Sequence, residues 1–210
     1  MSGSGFSRAS GVTWEDYYRA IEGRPVRPLF LDALAFLPSP LGDDRARVAV
    51  DLGCGDGREA LALLAQGWTV LAVDGAPEAI ARLRASVAPE HGARLTTVVG
   101  RLHEVELPDA DFVYAGLSLP FCAPAEFADV WRAVRQALRS GGAFAGHFFG
   151  PHDSWASTPD MTFHKREELD ELFTGFDVQL LRELDEDGPA VSGPKHWHVF
   201  HAIVTKPVPG

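Results

Sequence analysis

The chain has 210 residues, 46% of them hydrophobic, which is enough to bury the core of one domain. Its formal net charge of -10 predicts a surface that repels phosphate backbones and anionic lipid headgroups, so neither nucleic acid nor a membrane is expected as a partner. The two cysteines, Cys54 and Cys122, lack the paired spacing of a disulfide framework or a zinc site, which favours a reducing, cytoplasmic location.

The N-terminal residues are predicted to form a disordered arm followed by a helical cap. Residues 1–12 are rich in Ser and Gly and lack the apolar core of a signal peptide, which predicts the disorder. An aromatic-rich helix is predicted to begin at Trp14, and a second helix is predicted over 28–37. Residues 13–45 would then cap a single domain that extends over 13–207.

Apolar runs alternate with helix-period segments across residues 46–150. Each apolar run has the length and composition of a strand buried on both faces. Parallel neighbours need a crossover connection and the helical segments supply it, so an α/β fold with a doubly wound, mostly parallel sheet is predicted. The predicted strands of this core are 47–51, 68–73, 95–99, 111–115 and 143–149.

The last segment, 151–207, breaks this rhythm. A short helix is predicted over 165–173, followed by two strands over 177–184 and 197–204. The polar stretch 185–189 is predicted to join them. Because no helix-period segment separates the two strands, an antiparallel C-terminal hairpin is expected.

The most informative stretch is a glycine-rich loop after the first predicted strand, Asp51-Leu52-Gly53-Cys54-Gly55-Asp56-Gly57. Glycines at alternate positions let a backbone turn tightly and approach a ligand. The spacing differs from the Gly-x-Gly-x-x-Gly of dinucleotide-binding loops. Asp51 would repel a pyrophosphate but can accept a hydrogen bond from an ammonium, so the predicted ligand is cationic. A tight strand-helix turn without a ligand is the alternative.

A second acidic residue follows the next predicted strand. Asp74 and Gly75 lie roughly 20 positions beyond the glycine-rich loop, where a carboxylate usually binds the hydroxyl pair of a ribose. Asp74 could instead end its strand and cap the following helix. The ribose interpretation agrees with the pocket predicted at the loop.

The loop from Asp51 to Gly57, together with Asp74, resembles class I S-adenosylmethionine methyltransferases, and within them the small tellurite-resistance and thiopurine-type branch. The likeness extends over about 14–206. It implies a Rossmann-like, seven-stranded sheet with S-adenosylmethionine as cofactor and S-adenosylhomocysteine as product. It also implies methyl transfer to a small-molecule acceptor, which could be a thiol, a chalcogen oxyanion, an amine or a hydroxyl. Monomer and homodimer remain equally open.

The same resemblance implies roles for residues outside the loop. Tyr18 and Arg24 would close over the cofactor, and Arg24 could pair with its carboxylate. Arg101 and Leu102 would lie against adenine, although an acidic residue often stands at the position of Arg101 in that branch. The end of the fourth strand, from Ala115 to Ser118, would follow the methionine portion of the cofactor.

Three residues are predicted on the acceptor side. Phe121 ends the segment Ser118-Leu119-Pro120-Phe121, which resembles in part the Pro-Pro-aromatic motif of amino-methylating enzymes. Phe121 is therefore expected to wall the substrate pocket. His147 and His196 are candidate proton acceptors, because an unperturbed imidazole titrates near neutral pH.

Two other functions remain open for such a chain. A nicotinamide-dependent oxidoreductase can share the sheet, but the glycine spacing and Asp51 argue against it. A non-catalytic S-adenosylmethionine-binding module would keep the pocket without turnover. A metal ion is not expected, because His196 and His198 would share one face of a strand while His201 points to the other.

Overall fold

The computed structural model describes residues 4–37 and 45–209. Its strands are β1 (Val48–Leu52), β2 (Thr69–Asp74), β3 (Leu95–Val99), β4 (Ala110–Ala115), β5 (Leu138–Phe149), β6 (Asp177–Ala190) and β7 (Gly193–Thr205). Within the described residues they form one sheet in the order β3-β2-β1-β4-β5-β7-β6. Strands β1 to β5 run parallel to one another, and β7 lies antiparallel between β5 and β6. The predicted fold class is confirmed.

The described helices are α1 (Ser4–Ser10), α2 (Trp14–Ala20), α3 (Pro28–Leu34), α4 (Arg58–Ala65), α5 (Pro77–Ser86), α6 (Pro124–Ala137) and α7 (Arg166–Leu172). Proline occupies the first turn of α3, α5 and α6, where an amide hydrogen would have no helical partner. None of these helices has the length and apolar composition needed to cross a membrane.

The hydrophobic core lies on both faces of the sheet, because successive side chains of a strand point in opposite directions. On β1, Val50 joins a cluster that contains Trp131 of α6. Ala49 joins a second cluster with Phe30 of α3 and Leu63 of α4. Burial on both faces explains why the central strands are continuous apolar runs in the sequence.

The N-terminal segment differs from the predicted disordered arm. Residues 4–10 form α1, and Phe6 is only 5% exposed because it packs against Trp14 and Trp155. Residues 1–3 of the predicted arm lie outside the described part of the chain. The Ser- and Gly-rich composition predicted disorder, but one aromatic side chain anchors the helix to the domain.

The C-terminal hairpin is longer than predicted. Residues 185–189, predicted as the connection, belong to β6, and the turn falls at residues 191–192. In this region Asp185 lies opposite His198, and Asp187 lies opposite His196. The strand was not recognisable from its residues because β6 is an edge strand with mostly exposed, polar side chains.

Candidate active site

A cavity of about 960 Å³ opens at the carboxyl ends of the parallel strands. The sheet order reverses between β1 and β4, which is where open α/β sheets bind their ligands. Residues that follow β1, β2, β3 and β4 line the cavity on one side, and residues of α1 and α2 line the other. The loops predicted to carry the function therefore converge on one space.

Eleven of the thirteen residues predicted to bind the cofactor line this cavity: Tyr18, Arg24, Asp51, Gly53, Cys54, Gly55, Asp74, Gly75, Arg101, Leu102 and Ser118. The other two, Gly57 and Ala115, are absent from the lining. Ala115 is fully buried in the core at the end of β4, and its neighbour Gly116 lines the cavity instead. Gly57 begins α4 at a φ of 82° and lies against Leu83 of α5.

The glycine-rich loop turns tightly back over the end of β2. The amides of Gly53 and Cys54 both donate to the carbonyl oxygen of Val73, at 2.8 and 2.9 Å. Gly53 has a φ of 72°, and a Cβ at this position would overlap Ser118. Only glycine combines this left-handed backbone with so close an approach, so the loop forms an open cradle at the mouth of the cavity.

Asp51 is almost fully buried beneath this cradle. Its Oδ2 has no hydrogen-bond partner among the described residues. Burial raises the pKa of its carboxyl well above the ordinary value, and the neighbouring Glu59 and Asp74 add to the effect. A buried acceptor oxygen without a partner suits a cationic donor. Asp51 therefore fits the ammonium group of S-adenosylmethionine.

Asp74 ties the glycine-rich loop to the end of β2. Its Oδ2 accepts a hydrogen bond from the amide of Gly55, and its Oδ1 accepts one from the amide of Ala76, both at 2.8 Å. The hydroxyl of Tyr18 lies 3.5 Å from Oδ2. Burial raises the pKa of the Asp74 carboxyl, while the two amides act in the opposite direction. Asp74 thus caps the next turn and also faces the cavity.

Arg24 is paired with a carboxylate that was not among the predicted site residues. Both terminal nitrogens of its guanidinium donate to Glu59 of α4, each at 2.8 Å. Burial alone would disfavour the Glu59 carboxylate, but the pair with Arg24 holds its pKa below the ordinary value. Glu59 also accepts the amide of Arg27. Arg24 therefore lines the cavity with its charge already paired.

Arg101 is also paired at the other end of the cavity. Its guanidinium donates to Glu126, which lies in the first turn of α6 and lines the cavity. The Nδ1 of His103 lies 3.4 Å from the same carboxylate. An acidic side chain is thus present at the end where adenine was expected, but α6 supplies it rather than the segment after β3.

The opposite part of the cavity is walled by aromatic rings. We define the aromatic chamber by six of them: Phe6, Trp14, Tyr17, Phe121, Trp155 and Trp197. Phe121 lines the cavity as predicted. The other five come from α1, α2, the segment after β5 and strand β7, so no local pattern predicts that they meet.

A buried ion pair supports the chamber wall from behind. The ammonium of Lys195 pairs with the carboxylate of Asp153, and both side chains are about 1% exposed or less. The same ammonium lies 4.4 Å from the ring centre of Trp155 and 3.9 Å from that of Trp197. This cation-π contact holds the two indole rings in place.

Neither histidine predicted as a proton acceptor lines the cavity. His147 is buried in β5, where its Nδ1 accepts a hydrogen bond from the amide of Leu117 at 3.3 Å. Burial lowers its pKa well below the ordinary value. His196 lies on the hairpin between Asp185 and Asp187, whose hydrogen bonds raise its pKa. The strand pattern alone does not reveal that both side chains lie outside the lining.

The hairpin histidines form a separate polar network. Ligand atoms of His152, Asp185 and His198 lie within 4.8 Å of one another. Both ring nitrogens of His198 are already engaged, Nδ1 with the amide of His152 at 3.1 Å and Nε2 with Glu183 at 2.9 Å. A metal ion would have to displace one of these partners, so the expectation of no metal stays a prediction.

Residues 49–142, from β1 into β5, match a family model described as a methyltransferase domain. In its domain match and its fold, the chain is similar to class I methyltransferases. Its cofactor is S-adenosylmethionine, the methyl donor of that class. The expectations of fold and cofactor are therefore confirmed.

Known relatives agree with this assignment. An uncharacterized methyltransferase of Synechocystis sp. is 29% identical over 98 residues, which are 46% of this chain and 44% of that protein. The crystal structure of TehB from Haemophilus influenzae superposes with a TM-score of 0.70 at 17% identity, covering 92% of this chain and 67% of that one. The 1,6-didemethyltoxoflavin-N1-methyltransferase of Burkholderia thailandensis gives a TM-score of 0.62 at 21% identity, covering 92% and 85%.

Proposed function

We propose that this protein is a methyltransferase that transfers the methyl group of S-adenosylmethionine to a small-molecule acceptor. The observation that carries the proposal is the shape of the cavity. One half, the acidic half, is lined by the glycine-rich loop, Asp51 and Asp74, and it continues into the aromatic chamber. Small-molecule sites occupy roughly 300–1,000 Å³. A volume of about 960 Å³ therefore suits the cofactor together with one small acceptor.

The acidic half offers a group for each polar part of the cofactor. The unpartnered oxygen of Asp51 would accept a hydrogen bond from the ammonium. Asp74 would bind the ribose hydroxyls with the lone pairs that the amides of Gly55 and Ala76 leave unused. Leu102 would lie against the adenine ring. These assignments explain why two carboxylates are buried at one end of the cavity.

Methyl transfer from S-adenosylmethionine depends on the alignment of the two reactants rather than on a strong base. When bound, S-adenosylmethionine supplies a methyl group that its sulfonium charge already activates. Holding two reactants in line can lower a barrier by roughly 7–11 kcal/mol. The glycine-rich loop and Asp51 would fix one reactant, while the chamber rings would hold the other and exclude water. No histidine is required for such a step.

Calorimetric titration with S-adenosylhomocysteine tests the site. We expect Asp74→Ala to weaken binding at least tenfold, because hydrogen bonds from the ribose hydroxyls to a charged acceptor are lost. Gly55→Ala should weaken it as well, since its Cβ would lie 3.0 Å from the Tyr18 ring on a backbone with a φ of 55°. Asp109→Ala, which removes an exposed carboxylate outside the lining, is the matched control.

Other outcomes would separate the competing functions. Unchanged affinity in both cavity variants would refute the proposed cofactor site. Tighter binding of NAD than of S-adenosylhomocysteine would favour an oxidoreductase. Cofactor binding without transfer of a labelled methyl group to any thiol, selenite, tellurite, amine or heterocycle would favour a non-catalytic module.

A further inference from the structure

We propose that the acceptor is a flat, uncharged nitrogen heterocycle that binds in the aromatic chamber and is methylated on a ring nitrogen. This inference rests on the proposed function and narrows its substrate class. Three independent features of the cavity support it: the shape of the chamber, the charge of the lining and the lack of an imidazole in the lining.

Among the six rings of the chamber, that of Phe6 contacts four of the others. This ring stacks on Trp14 with 4.1 Å between centres and an interplanar angle of 21°. Tyr17, Phe121 and Trp155 meet it edge-on, with centres 5.4, 5.6 and 6.0 Å away. Stacked and edge-on contacts are the arrangements that aromatic rings prefer. The space is thus shaped for a flat ring rather than for a compact, hydrated ion.

The helix that carries Phe6 is short, and its ion pair with the domain is exposed. Helix α1 has only seven residues, and the salt bridge from Arg8 to Asp160 is exposed to solvent on both sides. Exposed ion pairs of this kind contribute little to stability. An acceptor ring could therefore take the place of Phe6 without disturbing the sheet.

The charge of the lining disfavours an oxyanion. Eight carboxyl side chains line the cavity, namely those of Glu15, Asp51, Asp56, Glu59, Asp74, Glu78, Glu126 and Asp160, against the three arginines Arg24, Arg27 and Arg101. Arg24 and Arg101 are already paired with carboxylates. A site with this balance attracts cations and repels selenite or tellurite.

Within the described lining there is no imidazole to remove a proton from the acceptor. Burial raises the pKa of the Cys122 thiol to about 12, so this group stays protonated at neutral pH. Two of the carboxylates on the rim are engaged, Glu15 by Arg19 and Asp160 by Arg8. An acceptor with a lone pair that needs no deprotonation therefore suits this lining best.

An aromatic ring nitrogen meets this requirement, and the step balances without a base. Its lone pair forms the new N–C bond as the S–C bond breaks, and the electrons of that bond stay on sulfur. The positive charge moves from the sulfonium to the heterocycle, and no proton is released. Ring faces attract a cation, and more strongly when water is excluded. The chamber therefore suits the charged product.

The test uses the full chain saturated with S-adenosylhomocysteine and follows tryptophan fluorescence. N-methylquinolinium, a stable mimic of the charged product, and quinoline should both bind, whereas selenite and tellurite should not. Trp155→Leu should weaken N-methylquinolinium at least tenfold and leave the S-adenosylhomocysteine affinity unchanged. Trp155→Phe keeps a ring and should restore most of the binding. Phe6→Ala should strengthen quinoline binding, because it vacates the centre of the chamber.

A second measurement follows the reaction itself. With methyl-labelled S-adenosylmethionine and quinoline, mass spectrometry should find labelled N-methylquinolinium. Methylated selenium or tellurium, with no methylated heterocycle, would overturn the inference while upholding the proposed function. Oxyanion binding that Trp155→Leu leaves unchanged would also overturn it. Failure of S-adenosylhomocysteine to bind at all would instead contradict the proposed function.

Discussion

At the scale of single residues, the ion pair of Lys195 and Asp153 stabilises the aromatic wall of the chamber. Their ion pair is buried behind Trp155 and Trp197, and the ammonium contacts both ring faces. The carboxylate of Asp153 also accepts the amide of His198 at 3.3 Å. The pair therefore connects the segment after β5 to strand β7.

Removing the charge of one partner in this ion pair should lower the free energy of unfolding. Asp153→Asn leaves the Lys195 ammonium buried without its counter-charge, and we expect a loss of about 3–5 kcal/mol in the free energy of unfolding. Urea unfolding followed by circular dichroism measures it. Arg8→Ala, which breaks the exposed pair with Asp160, should cost under about 1 kcal/mol. Equal losses in the two variants would contradict the role of burial.

Glu59 gives a prediction about acid stability. Its folded pKa lies below the ordinary value because Arg24 pairs with it, so its contribution is complete above the unfolded pKa of about 4.5. The contribution is lost as the pH falls through the lower, folded value. Wild-type unfolding free energy should thus fall below about pH 4.5 more steeply than that of Glu59→Gln. Asp109→Asn, at an exposed position, should keep the wild-type slope; parallel curves for Glu59→Gln and wild type would refute this account.

At the scale of secondary-structure elements, two neighbouring glycines have different tasks. Gly55 faces the cavity, whereas Gly57 is the N-cap of α4 and lies against α5. A Cβ on Gly57 would lie 2.9 Å from the Cβ of Leu83, on a backbone with a φ of 82°. Gly57 is therefore required for the packing of two helices rather than for a ligand.

Gly57→Ala should destabilise the fold by about 1–3 kcal/mol through strain and crowding. Because Gly57 does not line the cavity, the folded fraction should bind S-adenosylhomocysteine with nearly wild-type affinity. Gly55→Ala should show the reverse, with a larger loss of affinity than of stability. Thermal unfolding and calorimetry on both variants distinguish the two roles. A greater loss of affinity at Gly57 than at Gly55 would show that the assignment is wrong.

Elements with local signals were predictable from the sequence. The strands of the core were, because burial on both faces leaves continuous apolar runs. Helix α1 was not, because Phe6 anchors it through contacts with rings elsewhere in the chain. Strand β6 was predicted too short, because its exposed polar side chains follow no apolar pattern.

The difference between local patterns and contacts of distant residues also explains which site residues were predictable. The loop from Asp51 to Gly57 lies within one short segment, so its spacing alone predicted a cradle. Glu59 and Glu126 were missed because each acts through an arginine 35 or 25 residues away along the chain. His147 and His196 lie outside the lining, because residue type does not tell whether a side chain reaches the cavity.

At the scale of the whole molecule, the sheet brings two different surfaces together at its carboxyl edge. The parallel strands supply buried carboxylates and a glycine-rich loop, while α1, α2 and the C-terminal hairpin supply rings. The first surface suits a cation that carries a ribose, and the second suits a flat apolar partner. Their contact within one cavity is the physical basis of the proposed methyl transfer.

A crystal structure of the protein soaked with S-adenosylhomocysteine tests this account most directly. We expect the ligand to lie along Gly53 and Gly55, with its ammonium beside Asp51, its ribose on Asp74 and its sulfur facing the aromatic chamber. An empty loop in the presence of saturating ligand, or NAD bound there in its place, would contradict the account.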